Sequence, residues 1–212
     1  MVCSDIREAA SFKIGHMSNT VEDLLVLRRL HINGLQQKSP ILISVTWLKP
    51  PVGWVKINTD GAAHGAPGMA GAGGIFRIHD GSAIASFAVP LGTCYAFEAE
   101  ISAVIFALNK AIDVPYANFW LECDSALVVH LLHHRSVAVP WHLRREWEVC
   151  LCIMDKLNVH VSHIYREGNK GSDRLSVMRI GLQEIQWWDS YPKKANDTMI
   201  HDAMGRESFR FC

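Results

Sequence analysis

The chain has 212 residues, of which 49% are hydrophobic and 20% are charged, and its formal net charge at pH 7 is zero. This composition is typical of a globular chain with a sizeable core, and no apolar run reaches the roughly 18 residues of a membrane-spanning helix. We therefore expect no membrane association. The neutral chain also lacks the overall basic charge of many nucleic-acid-binding proteins, so such binding would need a local basic patch.

The N-terminal part of the chain is predicted to be an arm. Its first residues mix acidic and basic side chains and lack the apolar segment of an export signal, so the six cysteines are expected to be thiols. A helix is predicted over residues 18–32, because a Ser-Asn-Thr start precedes a one-sided apolar pattern that Asn-Gly ends. Prolines oppose helix over residues 35–51, which are predicted to be a linker. Residues 1–51 thus form a helical arm and linker.

The main domain is predicted over residues 52–181. Strands are indicated by runs of β-forming residues, and an Asp-Gly pair at residues 80–81 is a strong hairpin signal. The predicted strands cover residues 54–60, 70–79, 82–91, 117–123 and 159–165. The predicted helices cover residues 97–112, 124–134, 141–156 and 171–180. This order, βββ-α-β-α-α-β-α, predicts an α/β fold with a five-stranded mixed sheet and helices on both faces. Residues 182–212 are interpreted as a C-terminal tail.

Two acidic side chains are placed near each other by the first strand and the first long helix. Asp60 ends the strand, and Glu100 lies in the first turns of the helix. Glu100 shares its helix face with an unbroken apolar stripe, which directs it toward the sheet. Glu98 lies about 200° away around the helix and is interpreted as a solvated charge.

Asp124 and Asp173 complete a set of four acids, although each has an ordinary structural explanation. Asp124 is followed by serine at a helix start, where it would serve as an N-cap, and Asp173 could interact with a helix dipole. The four acids together indicate more, because buried carboxylates without a cation repel one another. Two divalent cations, roughly 3.5–4 Å apart, stabilise both oxygens of a phosphodiester displacement, and carboxylates are ligands that Mg²⁺ prefers.

Five collinear segments carry a resemblance to a known family. They read WVKINTDGA, GAPGMAGAGGIFR, FEAEISAV, WLECDSALVV and HIYREGNKGSDRLS. Together they resemble the ribonuclease H-like domains of plant retroelement-derived proteins, which are described as reverse-transcriptase-like or type 1 ribonuclease H domains. The resemblance implies a ribonuclease H-like fold and an endonuclease that hydrolyses the RNA strand of RNA–DNA hybrids. It further implies a chain of nuclear or cytoplasmic location, which we expect to be monomeric.

The resemblance also assigns site residues. It implies that Asp60, Glu100, Asp124 and Asp173 are the catalytic, metal-binding acids, with two Mg²⁺ ions as cofactor and Mn²⁺ as the alternative ion. The candidate nucleic-acid contacts are Gly61, Ala62, Gly74, Ser125, Arg144, Arg145, Arg166 and Asn169. Glycine allows a backbone to approach a ligand closely, but these glycines fit hairpin geometry equally well. Arg166 is interpreted as a phosphate contact, and Asn169 is also a loop-shaping candidate.

Residues 130–145 form the basic-leaning stretch of the chain. Their arginines are interpreted as phosphate contacts, whereas Trp141 and Trp147 are interpreted as core tryptophans. The loop before Asp173 lacks the histidine that many members of the resembling family carry, and His163 is interpreted as a core or edge residue. We therefore expect slower turnover than in members that have this histidine.

Three functions remain open from the sequence. The intact set of four acids favours an active hybrid nuclease, which is the preferred interpretation. The zero net charge and the missing loop histidine favour a nucleic-acid-binding module without useful catalysis. A protein-interaction module would use the Trp187-Trp188 pair of the tail, provided that this pair is exposed.

Overall fold

The computed structural model describes residues 6, 20–32, 41–178, 184–192, 201–202 and 204–211. Contacts divide the chain into two units, Met1–Ile43 with Phe211–Cys212, and Ser44–Arg210. The first unit contains helix α1, Val21–Arg29, inside the helix that the sequence predicted. The predicted start at residues 18–19 and the Asn-Gly stop lie outside the described residues. The domain boundaries at residues 51 and 181 stay a prediction.

The remaining elements follow in chain order. The strands are β1 Leu42–Val45, β2 Trp54–Gly65, β3 Gly68–Arg77, β4 Ala83–Cys94, β5 Asn118–Cys123, β6 Asn158–His163, β7 Gln186–Trp188 and β8 Ser208–Phe211. The helices are α2 Ala96–Ala111, α3 Ala126–His133, α4 Arg144–Lys156 and α5 Lys170–Val177, with short 3-10 turns at Trp141–Leu143 and Arg166–Gly168. No helix among these described elements is long and apolar enough to cross a membrane.

The main sheet has the strand order β6-β5-β2-β3-β4-β7, and β1 with β8 forms a separate two-stranded sheet. Strands β2, β3 and β4 form an antiparallel meander, whereas β5 is parallel to β2 and β6 is parallel to β5. The predicted α/β class and mixed sheet are therefore confirmed. A sixth strand, β7, which the sequence left in the tail, pairs antiparallel with β4 and places Trp187 opposite Phe87.

Helices cover both faces of the sheet, as predicted. Gly61 of β2 lies against the α2 backbone, and its neighbour Asp60 accepts a hydrogen bond from Ser176 of α5. Because successive strand residues point to opposite faces, α2 and α5 lie on opposite sides. The larger core lies under α2, and a smaller one under α5 contains Ile75, Ala88, Leu175 and Tyr191.

The chain before β2 packs onto the sheet, which differs from the linker predicted over residues 35–51. Strand β1 forms there, and Val45 and Trp47 are 6% and 3% exposed. The Trp47 ring stacks on Arg77 of β3, with the guanidinium carbon 3.5 Å from the ring centroid. The prolines do oppose helix, but the apolar residues between them form strand β1 and an extended segment that packs against the protein through Trp47.

Beneath Trp47 lies a buried layer of polar side chains. Asn58 donates its amide to Glu122, at 2.9 Å, and the Lys56 ammonium lies 2.9 Å from the same carboxylate oxygen. Arg77 donates to Asn58 and forms an ion pair with Asp202, with both contacts at 2.7 Å. Residues that are distant in sequence therefore satisfy charges that the sheet buries.

Candidate active site

Three of the four predicted acids converge beside the interior strands β2 and β5 of the sheet. Asp60 lies within β2 and is 3% exposed, Glu100 is in α2, and Asp124 follows β5 directly. The parallel pairing of β2 with β5 places Thr59 opposite Cys123, so Asp60 and Asp124 follow neighbouring positions. One carboxylate oxygen from each acid lies within 4.8 Å of those of the other two. We call this group the three-acid cluster.

Glycine at position 61 allows the helix to bring Glu100 into the cluster. A Cβ atom at Gly61 would overlap the backbone of Ala99 and Glu100, so α2 could not approach β2 this closely with another residue there. The Gly61 N–H donates to the Glu100 carboxylate at 3.2 Å. Gly61 is buried under α2, and Gly74 is buried against the Phe87 ring. Both glycines are thus covered by other parts of the protein, and their contact with nucleic acid stays a prediction.

The sequence suggested that Glu98 is a solvated charge, and the structure shows that it is not. Its carboxylate accepts a hydrogen bond from the Tyr95 N–H at 2.8 Å, and it lies 3.5 Å from the His142 ring nitrogen. It therefore caps the start of α2, while Glu100 is the acid that faces the sheet.

The cap of helix α3 is Ser125, not Asp124. The Ser125 hydroxyl accepts from the Val128 N–H at 3.5 Å. Asp124 instead accepts a hydrogen bond from the Asn169 side-chain amide at 3.3 Å. Its carboxylate is thereby available to the cluster, and the alternative of an ordinary capping residue does not hold.

The pKa values of all three acids are raised. Burial, reinforced by the charge of Asp124, raises the pKa of Asp60 to about 7. Burial, followed by the charges of Asp60 and Asp124, raises the pKa of Glu100 to about 9. Burial also raises the pKa of Asp124. The cluster offers only carboxylate oxygens, which fit a hard divalent cation, and such a cation would relieve the repulsion among them.

Asp173 lies in the first turn of α5 but outside the three-acid cluster. One of its carboxylate oxygens accepts from Arg166 Nε at 3.1 Å and from Arg166 Nη2 at 2.5 Å. The sequence predicted four converging acids, and the structure brings together three of them while the fourth forms an ion pair beside them. Arg166 is accessible, because its side chain is 68% exposed.

Asn169 shapes the loop between β6 and α5. It is 1% exposed, and its amide donates to the Thr59 carbonyl at 2.9 Å as well as to Asp124. Ser172 donates to the Asn169 side-chain oxygen at 2.5 Å. This burial and these hydrogen bonds favour the loop-shaping interpretation, and a direct contact of Asn169 with nucleic acid stays a prediction.

The basic stretch is divided between surface and core. Arg144 and Arg145 are exposed at the start of α4, and Arg144 lies 3.1 Å from Glu148. Trp147 is fully buried, as predicted, but Trp141 is 87% exposed, which contradicts its interpretation as a core residue. Trp141 lies in the 3-10 turn before the helix, where the apolar period of α4 does not apply.

Two residues near the acids were not predicted as site residues, although His163 was correctly interpreted as a residue of a core or edge strand. Ser176 donates its hydroxyl to Asp60, and its position one helical turn after Asp173 was a usable signal. His163, at the exposed end of the edge strand β6, has its Nε2 atom 3.2 Å from the Asp124 carbonyl oxygen. Of the other predicted contacts, Ala62 and Ser125 are partly exposed next to the acids.

Solved structures share this fold. Ribonuclease H1 from the halophilic archaeon Halobacterium salinarum NRC-1 is 27% identical, with a TM-score of 0.56, over 60% of this chain and 98% of its own. A ribonuclease H1 named LC11, solved in complex with an RNA/DNA hybrid, is 25% identical, with a TM-score of 0.53, over 58% and 94%. The fold and the acid cluster together define a ribonuclease H-like domain.

The chain belongs to the reverse transcriptase-like family, whose model matches residues 58–179. This match includes all four acids and Arg166. An Arabidopsis thaliana protein named "Putative ribonuclease H protein" is 32% identical over 163 residues, which make up 76% of this chain. The chain spans about a quarter of the length of that relative, 26%.

Proposed function

We propose that this chain is a metal-dependent endonuclease that hydrolyses the RNA strand of RNA–DNA hybrids. The observation that carries the proposal is the convergence of Asp60, Glu100 and Asp124, from three different elements, within 4.8 Å. The named ribonuclease H relative and the likeness to a ribonuclease H1 solved with an RNA/DNA hybrid support it.

The carboxylates of Asp60, Glu100 and Asp124 would hold Mg²⁺ or Mn²⁺, with Asp173 as a further ligand. A pair of such ions would neutralise charge on the attacking and leaving oxygens of the phosphodiester. The chain supplies an all-oxygen donor set in a largely buried position, where unpaired charges are costly.

Each acid of the cluster is oriented by a hydrogen-bond donor from a different part of the fold. The Ser176 hydroxyl holds Asp60, the Gly61 N–H holds Glu100, and the Asn169 amide holds Asp124. Such supporting contacts fix the positions of ligand atoms, and their loss typically lowers metal affinity. The three donors therefore fix the acids in place before a cation binds.

The exposed cations provide the candidate contacts to the hybrid. Arg166 lies next to the acids, and Arg144 and Arg145 lie with the exposed Trp141 at the start of α4. Arginine binds phosphate with paired hydrogen bonds, and such contacts position a nucleic acid without reading its sequence. Because the net charge is zero, these exposed arginines have to provide the electrostatic attraction.

The experiment is cleavage of a labelled RNA–DNA hybrid in Mg²⁺ and in Mn²⁺, with Asp60→Asn alongside. The wild type should cut the RNA strand and leave the DNA strand intact, and Asp60→Asn should not cut at all. Asp113→Asn, which removes an exposed acid at the C-terminal end of α2, is the matched control and should cut normally. A folded wild type that binds the hybrid without cutting it would disprove nuclease activity.

The second candidate function is a nucleic-acid-binding module without useful catalysis. The position of Asp173, paired with Arg166 outside the cluster, is the observation that favours it. The protein-interaction interpretation has less support, because Trp187 packs against Phe76, with ring centroids 5.6 Å apart, and its strand pairs with β4.

A further inference from the structure

The ion pair between Arg166 and Asp173 joins two side chains that the proposed function uses separately. Arg166 is a candidate phosphate contact, and Asp173 is a candidate metal ligand. Two guanidinium nitrogens donate to the same Asp173 oxygen, at 3.1 and 2.5 Å. Neither side chain can perform its proposed role fully while this contact persists.

The backbone around the pair is held by hydrogen bonds, whereas the arginine side chain is exposed to solvent. Asn169 ties the loop to the Thr59 carbonyl and to Asp124, and its own carbonyl accepts the Asp173 N–H at 3.1 Å. Arg166 is 68% exposed and Asp173 is 28% exposed. Exposed ion pairs of this kind contribute little net free energy, so another anion can replace the carboxylate.

We propose that Arg166 holds Asp173 away from the three-acid cluster in the nucleic-acid-free protein and releases it when a phosphate of the hybrid takes its place. This inference rests on the proposed function, because it assumes a divalent cation at the cluster and a nucleic acid beside it. Arg166 is thus a positioning residue for Asp173, and the fourth carboxylate joins the cation site only after the hybrid is bound.

Charge supports this exchange in both directions. A phosphate accepts paired hydrogen bonds from the guanidinium of Arg166. Its negative charge replaces that of the Asp173 carboxylate when this carboxylate moves away. The released carboxylate would then add a fourth negative ligand to a site that already contains three acids. Because linked equilibria are reciprocal, the hybrid should tighten cation binding by the same factor by which the cation tightens hybrid binding.

The test is a double-mutant cycle on cation affinity, measured by calorimetric titration of Mg²⁺, and then of Mn²⁺, into the full chain without nucleic acid. Arg166→Gln should bind the cation about twofold to fivefold more tightly than the wild type, which corresponds to the strength of an exposed ion pair. The same substitution in an Asp173→Asn background should leave the affinity unchanged. Lys110→Gln, which breaks the exposed Lys110–Asp113 pair, is the matched control and should change nothing.

The reciprocal measurement is binding of the RNA–DNA hybrid in EDTA, where no cleavage occurs. Asp173→Asn should bind the hybrid more tightly than the wild type, because it frees Arg166. In an Arg166→Gln background this gain should disappear, and the slope of log affinity against log salt should fall by about one. Such coupling between two neighbouring residues is what a cycle isolates.

The outcomes separate this inference from the proposed function. If Arg166→Gln tightens cation binding equally with and without Asp173, then Arg166 acts only by its charge and the inference is overturned, whatever the cleavage result. If the cycle shows no coupling while the wild type cuts hybrids, the nuclease stands and the inference falls. If coupling is present and the wild type does not cut, then Arg166 positions Asp173 in a nucleic-acid-binding module. The proposal of nuclease activity then fails, and the inference about Arg166 stands.

Discussion

Trp47 donates its indole N–H to the side-chain oxygen of Asn58 at 2.9 Å, and this bond joins the chain before β2 to the strand that carries Asp60. Asn58 lies two positions before Asp60, on the same face of the sheet. Asp202 forms an ion pair with Arg77 of β3. Both Trp47 and Asp202 lie outside the domain boundaries predicted at residues 52 and 181. The stability of the sheet therefore depends on residues from both ends of the chain.

Asp202→Asn should lower the free energy of unfolding by about 3 kcal/mol or more, because it takes a carboxylate from a buried arginine. The Arg77 guanidinium is 2.7 Å from that carboxylate, and the two side chains are 2% and 8% exposed. Urea unfolding of the full chain measures the change. Asp113→Asn, at an exposed ion pair with Lys110, should cost less than about 1 kcal/mol. Equal losses of unfolding free energy from the two substitutions would show that the buried pair stabilises the fold no more than the exposed pair does.

The metal-free protein should become less stable as the pH rises from about 5 to 9. Burial raises the pKa of Asp60 to about 7 and that of Glu100 to about 9, so the folded state holds protons that the unfolded state releases near pH 4. This contribution to stability is complete below that range and is lost as the pH passes the raised values.

Melting temperatures in EDTA across this pH range test the sign of this effect. Asp60→Asn should flatten the decline, whereas Asp113→Asn should not. Added Mg²⁺ should stabilise the protein more at pH 9 than at pH 6, because cation and protons compete for the same oxygens. A melting temperature that rises with pH in EDTA would contradict the assignment.

Gly61→Ala should destabilise the fold and weaken the cation site together. The added methyl group overlaps the backbone of Ala99 and Glu100, so α2 has to move away from β2. We expect a loss of about 1–3 kcal/mol or more in unfolding free energy and a lower Mg²⁺ affinity. Gly53→Ala is the comparison. Among the described residues, and apart from its own chain neighbours, an added Cβ there would have no atom within 4 Å, so the cost comes from a φ of +81°. The comparison variant should keep the cation affinity of the wild type.

The double substitution Arg144→Gln and Arg145→Gln should weaken hybrid binding at low salt without changing stability. Both side chains are exposed, so their loss removes charge and little packing. The slope of log affinity against log salt should fall by about two if each arginine neutralises one phosphate. Fluorescence anisotropy at several salt concentrations measures this slope, with Lys110→Gln as the control. An unchanged slope would place the hybrid elsewhere on the surface.

Local patterns explain which parts of the fold could be predicted from the sequence. The apolar stripe of α2 oriented Glu100 correctly, because Ala103, Val104 and Ala107 are fully buried. Turn signals located the meander, and the order of elements defined the class. These predictions rely on residues that are neighbours along the chain.

Long-range contacts explain what could not be predicted. Trp47 docks on Arg77, which lies 30 positions later, and no periodicity indicates that pairing. Asp173 was expected to converge with the other acids, but the side chain of Arg166, from the 3-10 turn before α5, forms an ion pair with it. Nothing in the sequence was a reason to treat Trp141 and Trp147 differently. Trp141 lies in the 3-10 turn before α4 and is exposed, whereas Trp147 lies within the helix and is buried.

Strand β7 has a consequence for the association of one chain with another. It is three residues long and pairs with the middle of β4, opposite Ser86, Phe87 and Ala88. Without it, the middle of β4 would also be an unpaired edge, on which the backbone of a second chain could continue the sheet. Versions of the protein that stop before β7 should therefore be prone to aggregation, even where the acids and their supporting hydrogen bonds are intact.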